Sequence, residues 1–340
     1  MDGRGAEDAL IVSRLDELRL IAKVARLYHG QGLRQSEITD RLNVHQSTVS
    51  RLLRRAEQEG IVRVTLSMPT GLHARLEDEL QAKFGLRDAI VVDSIDTEDQ
   101  IVRDLGAAAA FYLEGTLRPS DVIGISSWSA SLLAIVEAMP QHSRAGGARV
   151  VQILGGIGNP GAQIHANQLT QRLAARVSGT ATLLPAPGAV GSAEARRVML
   201  QDRYVQQAMA MFRSVTLALV GIGAVEPSKR LAASGNVFSP AELKTLSQRG
   251  AVGDICLRFF DAHGAPVETA LNQRVISIEL DELRRVKRVV GIAGGRRKTA
   301  AIAGALAGQW INVLITDQAT AGRLLDGHPA KPPRRRMAHA

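Results

Sequence analysis

Apolar residues recur at three- and four-residue steps through Ile11, Leu15, Leu18, Ile21, Ala22, Ala25 and Leu27, which predicts an amphipathic helix over residues 11–29. Gly30 and Gly32 stop it. A second helix is expected over residues 35–42, where Ile38 and Leu42 share a face. A third, over residues 46–57, carries Val49, Leu52 and Leu53 and ends before Gly60, with Asn43 and Val44 as the intervening turn. Beyond it Ile61, Val62, Val64 and Leu66 are interleaved with Arg63 and Thr65, the pattern of a short strand. Leu72, Leu76, Leu80 and Phe84 then recur every four residues, so residues 73–84 read as a helix able to serve as a hinge or dimer seam.

From there the period changes. Short β-branched or apolar runs stand at residues 89–92, 122–125, 150–154, 181–184, 217–220, 289–292 and 311–315. Helical stretches separate many of them, at 100–113, 130–139, 164–177, 193–211, 240–249 and 297–306. Strands alternating with helices predict an α/β fold with a doubly wound, mostly parallel sheet. Ligands of such sheets bind outside the carboxyl ends of the strands.

Composition narrows the function. A chain of 340 residues is comfortable as two domains. The expected boundaries are a helix-turn-helix domain over 1–66, a ligand-binding domain over 67–326 and a disordered basic tail over 327–340. The net charge of +9 makes polyanionic partners plausible, yet residues 66–326 hold 27 basic and 24 acidic side chains. That balance argues against a nonspecific nucleoid-type DNA binder. The tail sequence KPPRRR either brushes phosphates or is simply solvated. Cys256 is the only cysteine, which fits a reducing compartment, and aromatics at 3% disfavour base-stacking platforms. The start MDGRGAEDAL is no secretory signal, and no apolar run reaches the ~20 residues of a membrane span. A soluble cytoplasmic protein is expected, without membrane contact.

Within residues 35–53, Thr39, Asn43 and Val49 fall at the helix-crossing, turn and locking positions of a helix-turn-helix. Beside them stand Gln35, Gln46, Ser47, Thr48, Ser50, Arg51, Arg54 and Arg55, with no acid from 45 to 56. Short hydroxyls and an amide at a helix start reach base edges and phosphates, and arginines reach phosphates or guanine edges. These eight are the expected DNA contacts, with residues 61–66 as a wing strand that makes the domain a winged helix-turn-helix.

Four glycine-bearing stretches follow strands: residues 124–131 with Ser127, Ser129 and Ser131; 155–159 with Gly155, Gly156 and Asn159; 221–224 with Gly221 and Gly223; and 294–298 with Gly294, Gly295 and Lys298. Glycines let backbone amides approach an anion, and helix starts attract negative charge. Together they point to a small phosphorylated ligand. No Walker loop occurs. Residues 156–161 spell G-x-G-x-x-G, but no acid follows until Glu194, which disfavours a dinucleotide. Asp254 is read either as an acceptor for sugar or polyol hydroxyls or as a turn cap. Lys298 is read as a phosphate partner or a solvated helix charge. No cofactor and no metal site are expected.

The residues ARLYHGQGLRQSEITDRLNVHQSTVSRLLRRAEQEGIVRV, LGGIGNP, AVGDICLRFFDAHG and VVGIAGGRRKTAAIAGALAGQWINVLITD resemble the SorC family of sugar-responsive bacterial transcriptional regulators, over nearly the whole chain. The resemblance implies a Rossmann-like effector domain related to sugar-phosphate isomerases. It also implies a homodimer or homotetramer whose affinity for double-stranded operator DNA is controlled by a phosphorylated sugar or polyol. The family's S-W-G-x-T loop corresponds to residues 127–131, with Ser129 for the glycine and Ser131 for the threonine. Its effector-binding aspartate and lysine correspond to Asp254 and Lys298. The rival is a sugar-phosphate isomerase or deaminase with an appended DNA module. Such an enzyme needs a tuned acid/base near the sugar. The nearest histidines, His165 and His263, read as a helix-start residue and a turn residue, so no catalytic residue is assigned.

Overall fold

The computed structural model describes residues 3–62, 72–95, 97–126, 129–140, 147–156, 160–225 and 238–327, with backbone alone at 3–13 and 160–166. Two compact units divide at Met68 and Pro69.

The first unit is helical. α1 (Gly3–Ala25) begins eight residues before the apolar period does, in a stretch with good helix formers such as Ala6, Glu7, Ala9 and Leu10. It ends in a wide π-turn, Arg26–Gly30, not in a further α-helical turn. α2 (Gln35–Leu42) and α3 (Gln46–Gln58) follow. Asn43 takes the left-handed conformation, φ 51° and ψ 48°, and its amide donates to the Thr39 carbonyl. That reversal turns α3 across α2. Ile21, Val24, Leu27, Ile38, Val49, Leu52, Leu53 and Ala56 form the core, whereas Leu15 and Ala22, expected on the apolar face, are exposed. Val62 leans on this core, but Ile61 and Val62 form bends; the rest of the expected wing strand lies outside the described residues.

The second unit opens with α4 (Ala74–Phe84), closed by Gly85 in the left-handed region. The main sheet contains β1 (Asp88–Val92), β2 (Val122–Ile125), β3 (Arg149–Gln152), β4 (Thr180–Thr182), β5 (Leu217–Gly221), β9 (Arg288–Ile292) and β10 (Val313–Asp317). All are parallel, in the order β1-β10-β9-β5-β2-β3-β4. All seven expected runs became these strands. Alternate residues feed two cores. Leu217 and Leu219 of β5 face α5 (Glu98–Thr116), α6 (Ala130–Ala138) and α7 (Pro160–Arg176), while Ala218 and Val220 face the opposite layer with Leu80 and Ile302. Gly106 of α5 lets Ala134 of α6 approach so closely that a Cβ there would sit 2.5 Å from Ala134 Cβ.

Several elements differ from expectation. Residues 193–211 form α8 (Ala193–Met199) and α9 (Arg203–Ala210) instead of one helix, because Asp202 Oδ1 accepts the Tyr204 and Val205 amides and starts a new one. β6 (Gly223–Ala224), β7 (Ala251–Ile255) and β8 (Arg258–Asp261) form a small antiparallel sheet that the apolar pattern did not signal. The β7–β8 connection is two residues, Cys256 and Leu257, both at positive φ (54° and 61°). α10 (Pro240–Gln248) precedes this hairpin. α11 (Leu280–Arg285), α12 (Thr299–Ala307) and α13 (Gln318–Gly327) complete the unit, with α11 and α13 unanticipated. The basic tail lies outside the described residues. Among the described residues no helix is long and apolar enough to cross a membrane.

Candidate functional site

In the first unit α3 is sharply two-faced. Val49, Leu52, Leu53 and Ala56 are buried, while Gln46, Ser47, Ser50, Arg51 and Arg54 are exposed and Thr48 is half-buried. Gln35 is half-buried at the first residue of α2, its carbonyl accepting from Thr39 Oγ1. Among the described residues Arg51 and Arg54 form no ion pair. Arg55 is different. It pairs with Glu17 of α1 and lies 3.5 Å from Glu59, so it braces α3 against α1. The guanidinium in turn holds the Glu17 carboxyl below the usual carboxylate range.

In the second unit the chain leaves β2 outward through β3 and β4, then returns beside β2 as β5 and continues to β9 and β10. The gap between β2 and β5 is therefore the switch point where parallel sheets open a crevice. Ser129, following β2, caps α6 by accepting the Leu132 amide at 3.4 Å. Its hydroxyl reaches across the switch: a Cβ on Gly221, the last residue of β5, would come within 2.6 Å of Ser129 Oγ. Ser131 is buried in the first turn of α6. Ser127 and Asn159 lie outside the described residues, as does the side chain of His165.

Gly223 pairs with Asp254 across β6 and β7. Asp254 Oδ2 accepts the Leu257 amide at 3.0 Å. Burial pushes the Asp254 carboxyl up to about 6, against the opposing pull of the Leu257 amide and of Lys298. Lys298 ends the short 3-10 turn Arg296–Lys298 before α12. Burial, with the neighbouring Arg297, lowers its ammonium, and Asp254 pulls the other way. Each feels the other's charge, yet no ion pair within 4 Å joins them among the described residues. Both are desolvated by the protein around them while remaining partly accessible to solvent. A carboxylate, an ammonium and a hydroxyl so placed offer an acceptor for sugar hydroxyls and a donor for an anion.

Two of the expected glycine contacts need correction. Gly155 and Gly156 are buried, and their amides are committed to the carbonyls of Ile276 (3.1 Å) and Ala186 (2.9 Å). A Cβ on Gly155 would lie 2.5 Å from the Ala186 and Pro187 carbonyl oxygens. These glycines let three backbones pack together, and their N–H groups have none left for an anion. The Gly295 amide is likewise engaged, by Asp317 Oδ2 at 2.7 Å and Thr320 Oγ1 at 2.9 Å. Within the Gly221–Ala224 stretch, which follows β5 as expected, Gly223 and Ala224 form the short strand β6.

Sequence reasoning missed two neighbours of the site. Asp317 ends β10 beneath the Gly294–Gly295 turn, and the signal available was an acid closing a buried apolar run. Cys256 sits beside Asp254, and its buried thiol, in contact with Ser126, is pushed well above the usual thiol range. His263 is exposed in a turn whose amides, His263 and Ala265, are held by Asp261 Oδ1. Among the described residues no group of three or more His, Cys, Asp or Glu is arranged to hold a metal ion.

Comparison with known proteins adds a second line. Residues 69–326 match the family described as "Putative sugar-binding domain", and residues 15–64 match a homeodomain-like domain. The chain is 35% identical over 313 residues to the sorbitol operon regulator of Klebsiella pneumoniae, spanning 91% of this chain and 98% of that protein. It is also 35% identical over 313 residues to the deoxyribonucleoside regulator of Bacillus subtilis, spanning 92% and 98%. The crystal structure of the full-length Klebsiella pneumoniae regulator superposes with a TM-score of 0.69 at 34% identity, covering 91% of this chain and 98% of that one.

Proposed function

The chain belongs to the SorC family of sugar-binding transcriptional regulators, and from that premise we propose that a small phosphorylated sugar or polyol sets its affinity for operator DNA. The observation that supports the effector reading is that Asp254 and Lys298, both desolvated, lie close enough to feel each other's charge without forming an ion pair among the described residues. A ligand bearing hydroxyls and an anionic group supplies what each lacks. Ser127, Ser129, Ser131, Asn159, Gly221, Gly223 and Gly294 complete the proposed effector site. Gly155, Gly156 and Gly295 shape it without donating their amides.

On the DNA side, Gln46, Ser47, Thr48, Ser50, Arg51 and Arg54 read and grip the major groove. Gln35, at the start of α2, faces the phosphate backbone, and Arg55 acts by holding α3 in place. As a homodimer or homotetramer in the cytoplasm, the protein sets two such helices on half-sites of a partly palindromic operator. Coupling between effector and operator is a difference in ligand affinity between two states, typically ~1–3 kcal/mol.

The test has two parts. Thermal denaturation is followed with hexose, hexitol and pentose phosphates and with their unphosphorylated counterparts. One phosphorylated compound is expected to raise the melting temperature by mass action, by the equivalent of ~2.7 kcal/mol at a hundredfold excess over Kd. Duplexes selected from a random pool are then titrated with and without that compound. A steep loss of affinity with salt is expected, since each phosphate contact releases counterion. Preference for the unphosphorylated compounds would overturn the effector reading, and so would turnover of any compound to an isomer or ammonia.

A further inference from the structure

We propose that Asp317 is a positioning residue for effector binding, fixing the Gly294–Gly295 turn that leads into Lys298. The inference rests on the assignment of Lys298 to the effector site. Asp317 closes β10 and is 3% exposed. Its two oxygens serve two different elements. Oδ1 accepts the Thr320 amide at 2.9 Å and so caps the start of α13, whereas Oδ2 accepts the Gly295 amide at 2.7 Å.

The turn is shaped around that carboxylate. A Cβ on Gly294 would meet Asp317 Oδ2 at 2.3 Å and Ile101 Cγ2 at 3.1 Å, and Gly295 sits at φ 88°. Gly294 thus leaves room for the acid, and Gly295 supplies the backbone reversal. Thr320 Oγ1, fully buried, accepts the same Gly295 amide at 2.9 Å and a second bond from Arg323 Nη2 at 2.9 Å. From Gly295 the path to the lysine is short: its carbonyl accepts the Lys298 amide at 3.0 Å, closing the 3-10 turn. No ion pair joins Asp317 to Lys298 among the described residues. The acid therefore acts through the backbone, by holding the turn that aims the ammonium.

The experiment reads Lys298 directly in the full-length protein. Competitive acetylation with acetic anhydride, followed by peptide mass spectrometry, gives the pH profile of the Lys298 amine. In the native protein its midpoint is expected below the ordinary lysine range, since burial disfavours the charged form. Asp317→Asn keeps the size but cannot accept both amides. In that variant the midpoint is expected to move up towards the ordinary range as the ammonium becomes solvated. Thr320→Val, which spares the α13 cap, should shift it less and in the same direction. Leu324→Ala, a buried substitution on α13, should lower the melting temperature and leave the Lys298 profile unmoved. An unchanged midpoint in both folded Asp317→Asn and Thr320→Val, or an equal shift in Leu324→Ala, overturns the proposal. Inorganic phosphate serves as a separate probe. If it fails to protect Lys298 from acetylation in the native protein, the effector assignment is lost, while the pH profiles still decide the role of Asp317.

Discussion

The carboxylate of Asp254 occupies the space that a side chain on residue 223 would need: a Cβ built on Gly223 would lie 2.0 Å from Asp254 Oδ1. The strand pairing holds these residues opposite each other, so the conflict must be resolved by moving the acid. Gly223→Ala should therefore weaken effector binding about tenfold or more while leaving operator binding intact. The overpacking should also cost ~1–3 kcal/mol of stability. Calorimetric titration with the effector, beside mobility shifts on DNA, checks both. Unchanged effector affinity would place the ligand away from Asp254.

The raised Asp254 carboxyl makes a signed prediction for pH. Below about pH 4 the group is protonated in folded and unfolded chains alike, and its burial costs nothing. As pH rises through about 6 the folded protein must ionise a buried group that the unfolded chain ionises freely, so this contribution to stability is lost. Asp254→Asn should therefore melt higher than the native protein at pH 7, with the difference vanishing near pH 4. Effector binding runs the other way, because only the ionised acid accepts hydroxyls fully. Its affinity should rise about tenfold from pH 5 to pH 7, as the ionised fraction grows from roughly a tenth to nine-tenths. The ligand's own phosphate also titrates near 6. That slope is common to the native protein and Asp254→Asn, so the difference between their profiles belongs to Asp254.

The arginines of α3 divide into two kinds. Arg51→Ala and Arg54→Ala should each weaken operator binding by ~1–3 kcal/mol if they reach a base edge, or reduce the salt slope by about one unit if they reach a phosphate. Neither should lower the melting temperature. Arg55→Ala should lower the melting temperature of the helical unit, and Glu17→Ala should do the same, because each removes one half of a brace. Combining the two should cost little more than either alone. A melting temperature insensitive to Arg55 would return that residue to the DNA face.

Gly155→Ala separates close packing from anion binding. A methyl group 2.5 Å from two carbonyl oxygens forces backbones apart, at a cost of ~1–3 kcal/mol in thermal denaturation. Effector affinity measured well below the transition should hold. Loss of affinity at unchanged melting temperature would mean that this loop does cradle the ligand.

The main sheet was legible because its strands are buried on both faces and read as continuous apolar runs such as residues 217–220 and 289–292. The helix-turn-helix was legible because Asn43 is a non-glycine residue suited to the left-handed region. The β6–β8 sheet was not. Gly223–Ala224 is too short to show a period, and the Cys256–Leu257 turn uses residues that do not advertise positive φ. The glycine loops were only half legible. Glycine serves an anion cradle and a backbone crossing equally well, and the partners that distinguish the two, Ala186 and Ile276 for Gly155 and Gly156, are distant in sequence. Asp254 and Lys298 stood out from the residues and were strengthened by the resemblance, whereas Asp317 looked like an ordinary strand end because its distant partner, Gly295, lies on another loop.

The strand order also dictates a timetable. β10 is inserted between β1 and β9, so Asp88 and its neighbours find their partner, Val313 onward, only after about 220 further residues have been made. At ~5–20 residues per second, β1 emerges from the ribosome roughly 10–45 s before the strand that covers it. The first strand of the sheet waits for the last, and the same late strand brings Asp317 to the Gly294–Gly295 turn. A nascent chain can thus assemble its helical unit early, whereas the turn that leads into Lys298 is held only once this late strand has been made.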